Sequence, residues 1–381
     1  MNLNLSDEQE FLREAARGAL SRVKTVEAAR AALEDESALP DLWPMAIEAG
    51  WPGLLVSEEH GGAGLGAYDA LLVAQEAGRV LAPAPLLGPL PASLLLDRGA
   101  AAVTEQVAGG ELKAAWLPAR PPSTLQPGWT VDPVSGKARA AAPAASVAGD
   151  TVTFDGVVAW APDAAQADVL VVIGQDAGGA PIAGVVEATD AGVSVEGTWR
   201  YDATRRLGTV TLTGATGARL DVSAADIAEA WYLTQALIAA ESLGSVETAL
   251  EVSLTYAKER FTFGRAIGSY QAMKHGLVEI LRRQENTKSL LIYAGFAFSD
   301  RPDEIAYAAS AARSVAGGAL DFAARQQIAV HGGIGATWEH DAPLTFRRAQ
   351  LSRRLVGGTG DATDRVAEEL LEGRGPSAQA A

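Results

Sequence analysis

The hydrophobic period of this chain changes twice, and that double change restricts it to a helix–strand–helix architecture. From Ser6 to about Leu112 the apolar residues recur at helical spacing, with Phe11, Leu12, Ala15, Ala16, Ala19 and Leu20 on one face. Ahead of them Ser6-Asp-Glu-Gln9 has the form of a capping box, whose side chains satisfy backbone N–H groups of the first turn. Leu42 to Ala49 predicts a further helix, broken at Gly50-Trp-Pro-Gly53, and Tyr68 to Leu81 another; Pro83, Pro85, Pro89 and Pro91 punctuate the exit. From about Lys113 to Asp221 short alternating runs take over, among them Thr151–Phe154, Val169–Ile173, Ile182–Val186 and Thr209–Thr213. Their spacing predicts a small barrel or sandwich, entered through an irregular Pro118–Pro133 connection. From about Ser223 the helical stripe returns as Leu233, Leu237, Ala240 and Gly244, then Leu250, Leu254 and Ala257. Met273–Ala297 and Ile305–Val330 supply two more long helices, rich in the Ala and Gly that permit close approach.

The expected fold is therefore α+β: an N-terminal helical domain over residues 1–112, a central β-domain over 113–221, a C-terminal four-helix bundle over 222–372 and a disordered tail over 373–381.

Composition narrows the function. The 381 residues include 31 Lys+Arg against 47 Asp+Glu, a formal net charge of −16, so a phosphate-backbone binder with a concentrated basic face is excluded as the main role. With no cysteine, thiolate catalysis, disulfides and Cys-ligated metal are ruled out. His60, His275, His331 and His340 are scattered, with no pair at metal-ligand spacing. The amino terminus lacks the basic-then-apolar order of a signal peptide and no run is long enough to span a bilayer, so a cytoplasmic location is expected.

Chemistry concentrates in Tyr256-Ala-Lys-Glu-Arg-Phe-Thr-Phe-Gly-Arg265, continuing to Gln271, and in His331-Gly-Gly-Ile-Gly335. The Arg260 guanidinium is a permanent charge with a rigid fork of donors suited to a pyrophosphate. Phe263 can lie against a ring system, Gly264 permits the turn, and Gln271 adds an amide. Gly332 and Gly333 allow a backbone to approach a cofactor closely. Taken alone, the same residues would read as a surface arginine, a core phenylalanine and a glycine helix cap.

Together these segments resemble the acyl-CoA dehydrogenase flavoproteins, and the resemblance spans nearly the whole chain. It includes the Ser6–Gln9 helix start and Gly50-Trp-Pro-Gly-Leu-Leu-Val-Ser-Glu-Glu-His-Gly-Gly-Ala-Gly64, as well as the motifs above. It implies FAD as cofactor, an acyl-CoA thioester as substrate, and Arg260, Phe263, Gln271, Gly332 and Gly333 as contacts to an FAD held mainly by a neighbouring subunit. It assigns no role in catalysis to His331.

Several family features are missing. Desaturation needs a carboxylate base at the substrate α-carbon. The family's late site falls on Val356 by ungapped counting, or on Gly357 when Gly358-Thr359 is matched to the family's Gly-Thr; its alternative site falls on Thr234. None can act as base. Glu241, two turns beyond Thr234, is the candidate for a relocated base, with a solvated or interfacial glutamate as the plainer reading. The flavin-holding Thr-Glu-Pro-x-x-Gly-Ser-Asp segment has become Ala115–Ser123, and a Trp-Ile-Thr segment has become Trp160-Ala-Pro162, in which Trp160 also reads as core. Ala329 stands where the family has a glutamine, which Gln326 or Gln327 would replace only by a shift of helix register. The resemblance is thus to the base-less subunit of the heteromeric acyl-CoA dehydrogenases of actinobacterial steroid and acyl side-chain degradation. No residue of this chain is assigned as catalytic or as a metal ligand. A homologous base-bearing subunit would be its partner and an electron-transfer protein its acceptor. The alternatives are a self-sufficient dehydrogenase using Glu241 and a non-redox acyl-CoA-binding scaffold.

Overall fold

The computed structural model describes residues 4–133, 139–198 and 201–376. The expected tail falls largely on 377–381, outside the described residues. Among the described residues six α-helices come first: α1 (Asp7–Ser21), α2 (Thr25–Ala31), α3 (Trp43–Glu48), α4 (Ala67–Arg79), α5 (Pro89–Arg98) and α6 (Thr104–Ala108). The capping box forms, with Gln9 N–H donating to Ser6 Oγ and Ser6 N–H to Gln9 Oε1, both at 3.2 Å.

The described strands follow: β1 (Ala114–Trp116), β2 (Thr130–Val131), β3 (Ala140–Ala141), β4 (Ala144–Ala148), β5 (Thr151–Pro162), β6 (Val169–Gln175), β7 (Pro181–Glu187), β8 (Val193–Thr198) and β9 (Leu207–Leu220). Between the barrel and sandwich expectations, the pairing decides for a barrel. β6–β7, β7–β9, β9–β5 and β5–β4 are antiparallel, and β4 closes the ring onto β6 in parallel at Ala144 and Gln175. β1 adds to β6 in parallel, while β8 lines the first half of β9. The β5–β9 register breaks between Val158 and Ala161, and the bulge there puts Trp160 at φ +59°. Trp160 is half-buried and packs against the core.

The C-terminal helical domain has α7 (Ala224–Glu259), then a two-strand hairpin of β10 (Phe261–Thr262) and β11 (Arg265–Ala266). α8 (Gln271–Asp300), α9 (Ile305–His331), α10 (Ala342–Ser352) and α11 (Gly358–Leu371) complete it. α7, α8 and α9 are the long members, with α11 packed along α9. α4 crosses α7 through paired glycines. A Cβ at Gly78 would stand 2.0 Å from the Glu241 carbonyl oxygen, and one at Gly244 would stand 1.9 Å from that of Gln75. One apolar core joins the N-terminal helices, the barrel interior and the first half of α7; a second holds the far end of α7 against α8 and α9. Among the described residues no helix is long and apolar enough to cross a membrane, and none form a three-residue group able to hold a metal ion.

Candidate functional site: two ends of one helix

The first region is the C-terminal end of α7. Arg260 leaves the helix in an extended conformation, its N–H bonded to Tyr256 O at 2.9 Å. Phe263 and Gly264 connect β10 to β11 at φ +50° and +80°, positive at both central positions as in a type I′ hairpin. A left-handed phenylalanine is strained. Far from being a core residue, Phe263 is 96% exposed at the hairpin tip. Ile267 N–H donates to Arg260 O at 2.8 Å, folding the hairpin back so that Gln271, exposed, opens α8. Arg260 is exposed too, and among the described residues its guanidinium forms no ion pair.

Gly332 and Gly333 lie at the same end. Gly332 caps α9 at φ +63°, and both glycines are exposed. An aromatic stack ties this turn to α7: the Tyr256 ring lies 4.3 Å from the His331 ring, which lies 4.2 Å from that of His340. His331 is buried, with Nδ1 2.7 Å from the Gln327 carbonyl oxygen, a packing role. Burial, and then the charge of His331, lower the His340 pKa. α9 runs unbroken through His331, so no register shift brings Gln326 or Gln327 into the place of Ala329. The Gln327 side chain is buried instead, and that of Gln326 lies against Gly276 of α8.

The second region lies where the barrel meets the N-terminal half of α7. Thr234 is fully buried and donates its hydroxyl to Ala230 O at 2.8 Å. Its neighbour Gln235 donates to Val356 O at 3.4 Å, so the structure brings together the two positions at which a base was sought. The loop there turns through three consecutive positive φ values, +46° at Val356, +80° at Gly357 and +72° at Gly358.

The space in front of Gly357 is filled. A Cβ there would stand 2.6 Å from Asp361 Oδ2, 2.8 Å from Arg139 Nη2 and 3.0 Å from Trp231 Cζ2. Arg139 pairs with Asp361, with Nε at 3.0 Å, and with Asp132 at 3.1 Å, and lies over the Trp231 ring 5.5 Å from its centroid. Burial raises the Asp132 pKa, opposed by Arg139. Trp231 meets Trp116 of β1 edge to face at 6.5 Å. The segment standing in for the flavin-holding loop is core: Ala115, Trp116, Leu117 and Ala119 are buried. Pro162, without an N–H, ends β5 opposite Leu207. Two cavities at the junction of the N-terminal helices with the barrel measure about 20 and 10 Å³, room for about one water each.

Glu241 corrects its reading. It is neither solvated nor a free base: it is 1% exposed, and Arg205 donates to both its carboxylate oxygens, Nη1 to Oε1 at 3.0 Å and Nη2 to Oε2 at 2.5 Å. Burial works against the Arg205 charge, yet Glu241 outweighs it and the Arg205 pKa is raised. A second buried pair, Arg348 with Asp202 at 2.7 Å, stands beside it. Arg313, fully buried on α9, donates to the carbonyl oxygens of Ser352 and Leu355 at the start of the Val356 loop; burial brings its pKa down to about 10. None of Arg205, Asp202, Arg348 and Arg313 was singled out from sequence. Asp163, which follows Pro162 at φ +61°, accepts from Gly88 N–H at 3.0 Å; burial raises its pKa to about 6.

The two regions give different answers for FAD. A flavin ring needs an open slot with donors, and the junction offers Pro162 and a packed Trp116–Trp231–Arg139 wall, so it does not fit. At the other end of α7, an exposed guanidinium, an aromatic, an amide and a glycine turn do fit the phosphates and an adjoining ring.

The model of the acyl-CoA dehydrogenase N-terminal domain matches residues 6–119, and that of the C-terminal domain residues 227–371. The chain is 30% identical to acyl-CoA dehydrogenase IpdE2 of Mycolicibacterium smegmatis, over 96% of this chain and 100% of the relative. It is also 30% identical to acyl-CoA dehydrogenase FadE34 of Mycobacterium tuberculosis, over 94% of this chain but 47% of that relative. A solved structure described as a variant of the Tcur3481–Tcur3483 steroid acyl-CoA dehydrogenase superposes with a TM-score of 0.84 at 25% identity, covering 96% of this chain and 98% of the other. The ChsE4–ChsE5 complex from Mycobacterium tuberculosis has the same fold, with a TM-score of 0.84 at 22% identity over 99% of this chain and 100% of that one. This chain belongs to the FAD-dependent acyl-CoA dehydrogenase family.

Proposed function

We propose that this chain is the base-less subunit of a heteromeric acyl-CoA dehydrogenase, and that it completes the FAD site of a homologous, base-bearing partner. One observation carries the reading. The exposed patch and the junction lie at opposite ends of α7, and the rise per residue separates Thr234 from Glu259 by roughly 38 Å, too far for one dinucleotide to serve both. A patch that faces outward from its own junction is a patch offered to another chain.

Arg260 and Gln271 then hold the phosphates of the partner's FAD, Phe263 covers an adjoining ring, and the Gly332–Gly333 turn lets the backbone approach. A bound FAD supplies the hydride acceptor for α,β-desaturation of an acyl-CoA thioester, and the partner's carboxylate takes the α-proton. Electrons leave for a separate acceptor protein. The names of the relatives, with a steroid enzyme and a two-protein complex among them, support lipid or steroid catabolism by a heteromer.

The self-sufficient alternative loses its base, because Glu241 already accepts two hydrogen bonds from Arg205 in a buried pair. The test is to purify the chain alone and with a homologue carrying the missing glutamate, then record flavin absorbance and acyl-CoA turnover. Flavin and turnover in the pair, with neither in the single chain, support the proposal. A yellow, active single chain overturns it.

A further inference from the structure

We infer that this chain carries a built-in plug in its own acyl cleft, made by the Arg139–Asp361 ion pair packed on Trp231, so that no acyl group enters that cleft. The inference rests on the base-less-subunit reading and goes beyond it: loss of a base explains why this chain does not catalyse, but not whether an acyl group enters.

The geometry is specific. The Val356–Gly357 turn packs against the Thr234–Gln235 stretch of α7, where Gln235, next to Thr234, donates to Val356 O at 3.4 Å. Three side chains from three parts of the chain converge on that turn. Arg139 comes from the loop ahead of β3, Asp361 from the first turn of α11 and Trp231 from α7, all within 3.0 Å of where a Gly357 side chain would start. Each is held from behind. Asp132 grips the far side of Arg139 at 3.1 Å, Arg120 lies 3.8 Å from Asp361, and Trp116 backs Trp231.

The Arg139 side chain is 9% exposed and that of Asp361 23%, so the pair is largely shielded from solvent. It joins the loop ahead of β3, in the small β2–β3 ribbon, to the first turn of α11. Gly357 belongs to the same device. At φ +80° a side chain there is strained, and its Cβ would have to displace the ends of Asp361 and Arg139, so a base at this position competes with the plug for the same space.

The test uses the full chain alone, titrated calorimetrically with octanoyl-CoA and with CoA. In the native chain octanoyl-CoA binds no more tightly than CoA. In Arg139→Ala, octanoyl-CoA binds at least about tenfold more tightly than CoA, because the octanoyl group enters the vacated space. Should that variant fail to fold, Asp361→Asn carries the same test: it keeps the side chain's shape, removes the charge that anchors Arg139, and gives a smaller preference in the same direction. A native chain that already prefers octanoyl-CoA tenfold, or folded variants with no gained preference, would overturn the plug. Failure of the subunit reading is seen separately, as absence of flavin from the complex with the base-bearing partner, which these titrations do not involve.

Discussion

Trp116 of the barrel and Trp231 of α7 meet edge to face at 6.5 Å, with ring planes 75° apart, where β1 packs against the N-terminal half of α7. The Arg260 hairpin lies at the other end of α7, on the outside, and in the proposed heteromer it is the part that meets the partner's FAD.

Arg260→Ala is predicted to weaken FAD retention by the heteromer about 10- to 100-fold, as expected for loss of charge-assisted hydrogen bonds to phosphate. Since Arg260 is exposed and unpaired among the described residues, the melting temperature of the single chain should not move. Flavin content after gel filtration and differential scanning of the single chain together check this. A drop in stability with flavin content unchanged would assign Arg260 a structural role.

Glu241→Gln should act on folding rather than on chemistry. Removing one partner of a buried ion pair leaves Arg205 charged and desolvated, a loss of about 3–5 kcal/mol. Urea denaturation of the single chain measures it. A variant as stable as the native chain but dead in turnover would restore Glu241 as a base.

The raised pKa of Asp163 gives a pH dependence. Its carboxyl is held protonated by burial up to about pH 6, whereas an unfolded Asp ionises near 3.8. The unfolded state therefore gains on the folded one as pH rises between those values, and the penalty is constant above. Asp163→Asn should be relieved of it, gaining on the order of 2–3 kcal/mol relative to the native chain between pH 4 and pH 7. Urea midpoints of both proteins across that range test the sign: a difference that is flat with pH would contradict it.

Gly244→Ala should cost about 2–3 kcal/mol, because its Cβ would meet the Gln75 carbonyl oxygen at 1.9 Å and force α4 away from α7. By contrast Gly318→Ala, also within a helix and with no atom within 4 Å of its Cβ, should be neutral or slightly stabilising. Thermal denaturation of the two variants gives the contrast directly.

What could be read from sequence was what is encoded locally. The Ser6–Gln9 capping box, the long helices α8 and α9, and the strand runs around Val169 and Ile182 follow from spacing within a few turns or residues. The Arg260 motif and the glycine turn were visible for the same reason. The plug was not: Arg139 and Asp361 are 222 residues apart, and no local pattern announces their meeting. The buried pairs Arg205–Glu241 and Arg348–Asp202 span 36 and 146 residues and escaped the same way. Taken alone Phe263 would read as core, because an aromatic beside a glycine carries no sign of which way its turn will face; only its place beside the other motifs marks it as a cofactor contact. The barrel closure had no signal either, depending on one parallel contact between Ala144 and Gln175.

The most direct measurement is flavin stoichiometry in the purified heteromer of this chain with a glutamate-bearing homologue. One FAD is expected for each pair of chains, held about 10- to 100-fold less tightly when this chain carries Arg260→Ala, with none bound to this chain alone. Two FAD per pair, or one FAD per chain in the isolated protein, would contradict it.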